Sequence, residues 1–173
     1  MSNSVKKQKT STILSLVAKL MVVVAAFGVV SCGCGGGGNP EKAELTFTIS
    51  DITDGKTDAT LNIKTNQNID DLTKVKLTLE EAKRYGTADF KTEITTGNAG
   101  DEFEVLDAKG NNISGKNLKE LTNKDKLEKD KTVDVKLTLK PGTNVKGFKV
   151  KFVATGDEAL KSKATKDFSW SKP

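Results

Sequence analysis

Apolar and polar residues alternate along strand-length stretches from residue 45 to the end of the chain, and this pattern constrains the fold more than any other feature. Successive side chains of a β-strand point to opposite faces, so each stretch predicts a half-buried strand. Clear stretches lie at 45–49, 61–63, 75–79, 133–139, 148–152 and around Phe168 and Trp170, and weaker ones at 90–94 and 103–105. Turn signals rich in glycine and asparagine separate them. The pattern predicts an all-β antiparallel sandwich over residues 44–173, with Trp170 closing its core.

Two features leave the details of this sandwich open. Residues 117–131 are rich in Lys, Glu and Asp around Leu118, Leu121 and Leu127, which predicts either a short surface helix or, as the favoured interpretation, a solvated connection over most of the segment. The sequence VKLTL occurs at 75–79 and again at 135–139. Neighbouring matches, such as Thr65-Asn66 with Thr122-Asn123 and Phe90-Lys91 with Phe148-Lys149, recur at offsets of 56 to 60 residues. This spacing suggests a pseudo-duplicated sandwich built from two half-domains.

The first 31 residues have a different character. Lys6, Lys7, Lys9 and Lys19 precede an apolar run of eleven residues at 20–30, and no acid occurs before it. A membrane-spanning helix needs about 20 apolar residues, so this run is too short to be assigned as one. The order of basic, apolar and small residues is typical of a secretory signal, which we predict to be a cleaved helix over residues 1–31.

The apolar run ends in Val29-Val30-Ser31-Cys32, which resembles the lipobox of bacterial lipoproteins. The resemblance covers residues 1 to about 32 and implies cleavage between Ser31 and Cys32, with fatty chains joined to the Cys32 sulfur. Because one acyl chain gives only marginal binding, two or three chains are what would hold such a protein on a bilayer. The resemblance therefore implies a lipid-anchored protein of the cell envelope, with the outer membrane or the cell surface favoured.

A flexible tether is predicted between the anchor and the sandwich, at residues 32–43. Glycines at 33 and 35–38 contribute no side chain to a core and retain the most backbone freedom when unfolded. Within this tether Cys34 is expected to be an incidental thiol, although a second lipid or a disulfide to another chain are the alternatives.

Charge and composition exclude several classes of function. Of 28 Lys and Arg residues, four lie in the predicted signal, which leaves 24 against 23 acids and a mature chain close to neutral. Nucleic-acid binding is therefore not predicted, because it calls for a clustered basic surface. The chain has no histidine and two cysteines, so histidine-based catalysis and four-ligand zinc sites are excluded, and no metal, cofactor or enzymatic activity is expected.

Acidic residues alone can form a catalytic pair or a calcium site. Adjacent acids occur at 70–71, 80–81, 101–102 and 157–158, where solvated loop charges are the favoured interpretation. The acids at 51, 54 and 58 surround Gly55 without the spacing of a calcium-binding loop, and an ordinary turn is expected there. Arg84 and Tyr85 are the only Arg and Tyr of the chain, and both residue types are favoured at binding hot spots. We take them as a candidate binding contact.

The mature domain resembles two further groups of proteins. Residues 104–115, EVLDAKGNNISG, are similar to the strand and turn of bacterial immunoglobulin-like repeats, which implies a compact sandwich used as a spacer or adhesion module. Its strands rich in Lys, Thr and Asp resemble those of spirochaete outer-surface lipoproteins, which implies an extended sheet displayed to a host. The expected function is a non-enzymatic lipoprotein that binds a host or envelope macromolecule. The alternative is a small-ligand carrier or assembly factor with an internal cavity.

Overall fold

The computed structural model describes residues 41–95 and 97–173. The predicted signal helix, the lipobox, Cys34 and most of the predicted tether lie outside these residues. Within the described part, strands dominate, as the alternation predicts. The described domain already makes sandwich contacts at Ala43, which is buried and forms a parallel bridge to Leu160, so the sandwich begins slightly before residue 44.

Eight strands of the described part form two four-stranded sheets. The strands are β1 (Leu45–Thr48), β2 (Asp58–Thr65), β3 (Lys76–Tyr85), β4 (Phe103–Asp107), β5 (Lys116–Asn117), β6 (Thr132–Pro141), β7 (Gly147–Thr155) and β8 (Ala164–Ser171). The first sheet has the order β1-β2-β6-β4 and the second the order β5-β3-β7-β8, and all neighbouring strands in both are antiparallel. The first order is that of strands A-B-E-D of an immunoglobulin domain, and β3-β7-β8 corresponds to C-F-G. The fold is therefore an immunoglobulin-like antiparallel β-sandwich, which confirms the predicted fold class.

The core between the sheets comes from the alternating apolar positions. Val133, Val135, Leu137 and Leu139 of β6 are all nearly inaccessible, while the residues between them are exposed or half-buried. An aromatic stack fills one end of the core: the Phe103 and Phe148 rings lie 4.1 Å apart. Trp170 stacks on Phe148 at 5.4 Å, is 1% exposed, and donates its indole N–H to the Lys56 carbonyl. The prediction that Trp170 closes the core is thus confirmed.

The open edge between β1 and β8 is closed at two points. Near the start of the domain, Ala43 donates its backbone N–H to the Ala159 carbonyl. Beyond β1 the chain leaves the first sheet, and Ile52 pairs in parallel with β8. The Ile52 backbone N–H donates to the Ser169 carbonyl, and the Ile52 carbonyl accepts the Ser171 backbone N–H. The chain thereby ties both sheets together before it enters β2.

The hairpin-like turn after β4 explains the residues that resemble immunoglobulin-like repeats. The Asp107 carboxylate accepts the backbone N–H groups of Lys109 and Asn111 at 2.8 and 2.9 Å and contacts the Lys116 ammonium at 3.0 Å. Gly110 has a φ of 79°, a left-handed conformation that glycine adopts without strain. An aspartate followed by Gly-Asn is therefore what folds this turn tightly.

The connection at residues 117–131 contains both structures that the sequence left open. A short helix, α1 (Leu118–Thr122), begins at a capping box in which Asn117 and Glu120 each accept the other's backbone N–H. The segment then continues as a connection, in which Leu127 is buried and bridged to Ile69. A helix therefore forms over the first third of the segment, where the sequence contains a helix start signal, and the rest is a connection, as the favoured interpretation predicts for most of it.

The pseudo-duplication finds no counterpart in the strand arrangement. The two VKLTL segments fall in different sheets, one running into β3 and the other within β6. Thr65 ends a strand, whereas the matched Thr122 ends α1, and Phe90 lies in a connection while the matched Phe148 lies in β7. The sequence matches thus align residues of unlike structure, as expected where Lys, Thr and alternating apolar residues recur.

Candidate binding surface

The outward face of the second sheet carries charged side chains in ordered rows. Strand register places Lys83 of β3 opposite Lys149 of β7, and Lys149 opposite Ser169 of β8. In the neighbouring row Glu80, Lys151 and Asp167 lie opposite one another in the same way. We call the first the lysine row and the second the acidic row. Together they form a face that offers positive charge beside negative charge.

The lysine row sets two like charges directly across a strand pair, an arrangement that lowers sheet stability. The Lys83 ammonium has a distant carboxylate partner, Glu93, at 3.6 Å. Lys149 makes no ion pair within the described part of the chain, and its ammonium lies over the Phe90 ring at 4.5 Å and near the Tyr85 ring at 5.9 Å. The charge on Lys149 is therefore held by aromatic rings and remains available to an anion.

A bulge in β3 produces this arrangement. Pairing with β7 shifts by one residue between Glu80 and Lys83, and Glu81 has a φ of 50°. A left-handed backbone is unfavourable for a residue other than glycine, and bulges are found where a strand must redirect its side chains. The Glu81 carboxylate accepts a hydrogen bond from the Lys151 ammonium. This bond, with Asp167 and Glu80 nearby, raises the pKa of Lys151 above its usual value.

The long connection between β3 and β4 borders the lysine row. It runs from residue 86 to 102, seventeen residues, and connections this long without strands or helices of their own are uncommon inside a compact domain. Its Phe90 has a φ of 59° and packs edge-to-face on Tyr85 with ring centroids 5.4 Å apart. A Cβ on Gly147 would lie 2.9 Å from the Phe90 ring, so the ring rests directly on that glycine. The weak strand predicted at 90–94 is accordingly wrong: Phe90 is apolar because it packs on the outside of the sheet.

The structure places Arg84 and Tyr85 beside the lysine row and on opposite sides of the sheet. Tyr85 is 8% exposed under Phe90, so its ring supports the long connection. Arg84 points inward and forms an ion pair with Glu102 at 2.9 Å, while its Nε is buried and has no hydrogen-bond partner among the described residues. Arg84 thus contacts the last residue of the long connection and Tyr85 supports its Phe90, whereas the exposed groups of the candidate surface are lysines and acids.

A second polar cluster fixes the end of the long connection. The buried Asp101 carboxylate accepts the Asn144 side-chain amide at 3.0 Å and the Asn98 backbone N–H at 2.9 Å. The first of these bonds contributes most to lowering the pKa of Asp101. Gly142 lies against residues 100–102, where a Cβ would approach the Gly100 carbonyl to 2.1 Å. The connection is therefore pinned at both of its ends.

An open groove of about 450 Å³ lies along the two rows, with Glu81, Lys83, Lys149, Lys151, Asp167 and Ser169 among its lining residues. The Asp51 carboxylate, which accepts the Ser169 backbone N–H, also lines it. Ammonium, hydroxyl and carboxylate groups in this arrangement can bind a ligand that carries charges of both signs. Sequence reasoning missed this site. Lys83 and Lys149 are each unremarkable along the chain, and only the register of β3 against β7 makes them neighbours.

Several of the acids that could serve in catalysis or calcium binding have local structural roles. Asp71 caps the 3-10 turn at Leu72–Lys74, Glu102 pairs with Arg84, and Glu158 pairs with Lys74 at 2.8 Å. Asp51 accepts the Ser169 N–H and Asp54 pairs with Lys56, so they engage separate partners. Across residues 41–95 and 97–173, no group of three or more potential ligands is placed to hold a metal ion. None of the helices in that same part is both long and apolar enough to traverse a bilayer.

The chain matches no protein-family model and no curated protein sequence. Among solved structures it is similar to the ASH / PapD-like domain of human CEP192 (PapD-like domain 7), at 15% identity over 85% of this chain and 96% of that one. The TM-score of 0.35 is too low for any argument about function or partners. The fold assignment above therefore depends on strand order and register alone.

Proposed function

We propose that this chain is a lipid-anchored lipoprotein of the bacterial cell envelope, and that its sandwich binds a macromolecule without catalysing a reaction. Val29-Val30-Ser31-Cys32 after a basic and apolar segment supports the anchor. The described domain supports the binding role, since it combines a filled core with a charged outer face and a long, pinned connection. The outer membrane or the cell surface is the location that we favour.

The observation that carries the proposed binding role is the direction of the domain: the chain enters at one end of the sandwich and the candidate surface lies toward the other. The chain enters the sandwich at Ala43, which bridges to Leu160 just before β8 begins. β1 runs away from this end, and β3 ends with Tyr85 at the opposite end, where the long connection follows. A chain tethered through Cys32 would thus present the long connection and the lysine row away from its point of attachment. This is the arrangement that a displayed binding domain requires.

The anchor can be tested with two matched cysteine variants. Cys32→Ser should abolish incorporation of labelled palmitate and release the protein from the membrane fraction, because the acylated sulfur is gone. Cys34→Ser differs only in the neighbouring thiol and should leave labelling and fractionation unchanged. Protease shaving of intact cells then reports whether the domain is on the surface. Intact mass spectrometry that finds an unmodified Cys32 behind an uncleaved N-terminus would refute the anchor.

The alternative role, a small-ligand carrier with an internal cavity, is less well supported. Phe148, Phe152, Phe168 and Trp170 are at most 1% exposed and pack against one another between the sheets. A carrier would gain thermal stability when its ligand binds, by mass action. A panel of lipids and metabolites that leaves the unfolding temperature unchanged is what we expect for a displayed binding domain.

A further inference from the structure

Three departures from ordinary sheet structure cluster around the lysine row. Glu81 and Phe90 both have left-handed backbones, which cost free energy in residues with large side chains. Lys83 and Lys149 are like charges in direct cross-strand register. Strained residues that persist in one place are commonly part of a ligand site, because the surrounding structure must hold them there.

The spacing and sign of the charges determine what could lie on this surface. Along β7 the lysine row and the acidic row are two residues apart, about 6.6 Å in an extended strand. An extended peptide has the same spacing between side chains that point to one side. An acidic side chain over Lys149 and Ser169 would therefore place the side chain two positions along β7 over Lys151 and Asp167. Because the Lys151 ammonium is paired with Glu81, Asp167 is the group in that row that a basic side chain fits.

We propose that the groove along the lysine and acidic rows binds an extended polypeptide segment in which an acidic residue lies two positions from a basic one. This inference rests on the proposed binding function and specifies its partner. Lys149 and the Ser169 hydroxyl hold the acidic side chain, the Lys83 ammonium adds positive charge from β3, and Asp167 pairs with the basic one. A uniformly anionic polysaccharide is disfavoured, because Glu81 and Asp167 would lie beside its second charge.

Fluorescence anisotropy with the full chain in nonionic detergent tests the proposal. The probe is a fluorescein-labelled peptide in which glutamate and lysine alternate, each separated by one threonine. A peptide of identical composition, with its glutamates and lysines collected at opposite ends, serves as the comparison. We expect the alternating peptide to bind at least about threefold more tightly at low salt, and the difference to shrink as salt rises.

Variants assign the binding to the rows. Lys149→Gln should weaken binding of the alternating peptide by roughly threefold or more, and Lys149→Arg should retain it because the charge is kept. Asp167→Asn should reduce the preference for the alternating peptide over its block counterpart. Lys136→Gln, on the outer face of the other sheet, is the matched control and should have no effect. Circular dichroism of each variant shows that loss of binding is not loss of fold.

Three outcomes would overturn the inference. Equal affinity for the two peptides would show that charge order is not recognised. Tight binding of dextran sulfate that is lost in Lys149→Gln, without peptide binding, would assign the rows to an anionic polysaccharide. An effect of Lys136→Gln equal to that of Lys149→Gln would place the binding elsewhere. None of these results affects the palmitate labelling and fractionation of Cys32→Ser, so failure of this inference and failure of the anchor are separable.

Discussion

The Asp107 carboxylate is almost fully buried where β4 ends, with 6% of the residue exposed. Burial alone would raise its pKa. The backbone N–H of Asn111, the Lys116 ammonium and the backbone N–H of Lys109 outweigh burial and lower the pKa of Asp107 to about 2. The carboxylate is thus stabilised in its charged form by the turn that it closes.

This lowered pKa predicts a defined dependence of stability on pH. The folded-state pKa lies below the unfolded value, so the stabilisation is present above about pH 4 and is lost as the pH falls toward 2. Asp107→Asn should lower the free energy of unfolding by about 2 kcal/mol at pH 7, because the neutral amide loses the ion pair with Lys116 and accepts weaker bonds from the backbone N–H groups. At pH 2 variant and wild type should differ much less. Urea titrations at both pH values measure this.

Asp125 provides the control for Asp107. Its carboxylate lies 2.6 Å from the Lys119 ammonium, but 81% of the side chain is exposed. Surface ion pairs contribute little, so Asp125→Asn should change stability far less than Asp107→Asn at pH 7. Equal effects of the two substitutions would mean that the turn does not depend on the buried carboxylate.

The long connection between β3 and β4 depends on its contact with β7. Gly147 leaves room for the Phe90 ring, and a Cβ there would meet the ring at 2.9 Å and 3.1 Å. Gly147→Ala should therefore displace the connection and destabilise the domain by roughly 1 to 3 kcal/mol. In the Phe90→Ala background the same substitution should cost much less, because the clash is gone. A double-mutant cycle from urea unfolding measures the difference, and strictly additive effects would contradict the contact.

The strands were predictable where one face alone is apolar. In β6 and β7 every second residue faces the core, so alternation identified both. In β3 alternation misleads beyond Leu79: continued strictly, it would turn Lys83 and Tyr85 inward and Arg84 outward. The one-residue shift at Glu81 reverses all three, because side-chain direction in a strand depends on every residue before it. The candidate surface lies directly after that shift, so sequence reasoning could name Arg84 and Tyr85 but could not place them.

The fold class was easier to predict than the surface for a related reason. A sandwich follows from many independent alternating segments, and the loss of one, such as 90–94, does not change it. The lysine row follows from a single register between strands whose paired lysines are 66 residues apart in the sequence. Pairing over that distance is determined by how the whole core packs. Local patterns therefore predict the class of fold well and the surface poorly.

At the scale of the whole molecule, the attachment proposed for Cys32 predicts which end of the sandwich lies nearer the bilayer. Ten residues separate Cys32 from Ala43, and a glycine-rich chain of that length spans about 17 Å on average. The ten-residue β6 spans about 33 Å between the two ends. The tether is thus too short for the ends to sample equal distances from the membrane.

Energy transfer to a labelled lipid measures this orientation. In a Cys34→Ser background, Lys129→Cys places a donor dye at the end where the chain enters, and Lys146→Cys places it at the end that carries the long connection. Both lysines are exposed, so the pair is matched. In liposomes that contain a rhodamine lipid, the dye at 129 should transfer energy more efficiently than the dye at 146. Equal or reversed efficiencies would mean that the lysine row is not held away from the membrane, and a partner would then have to reach it from the bilayer side.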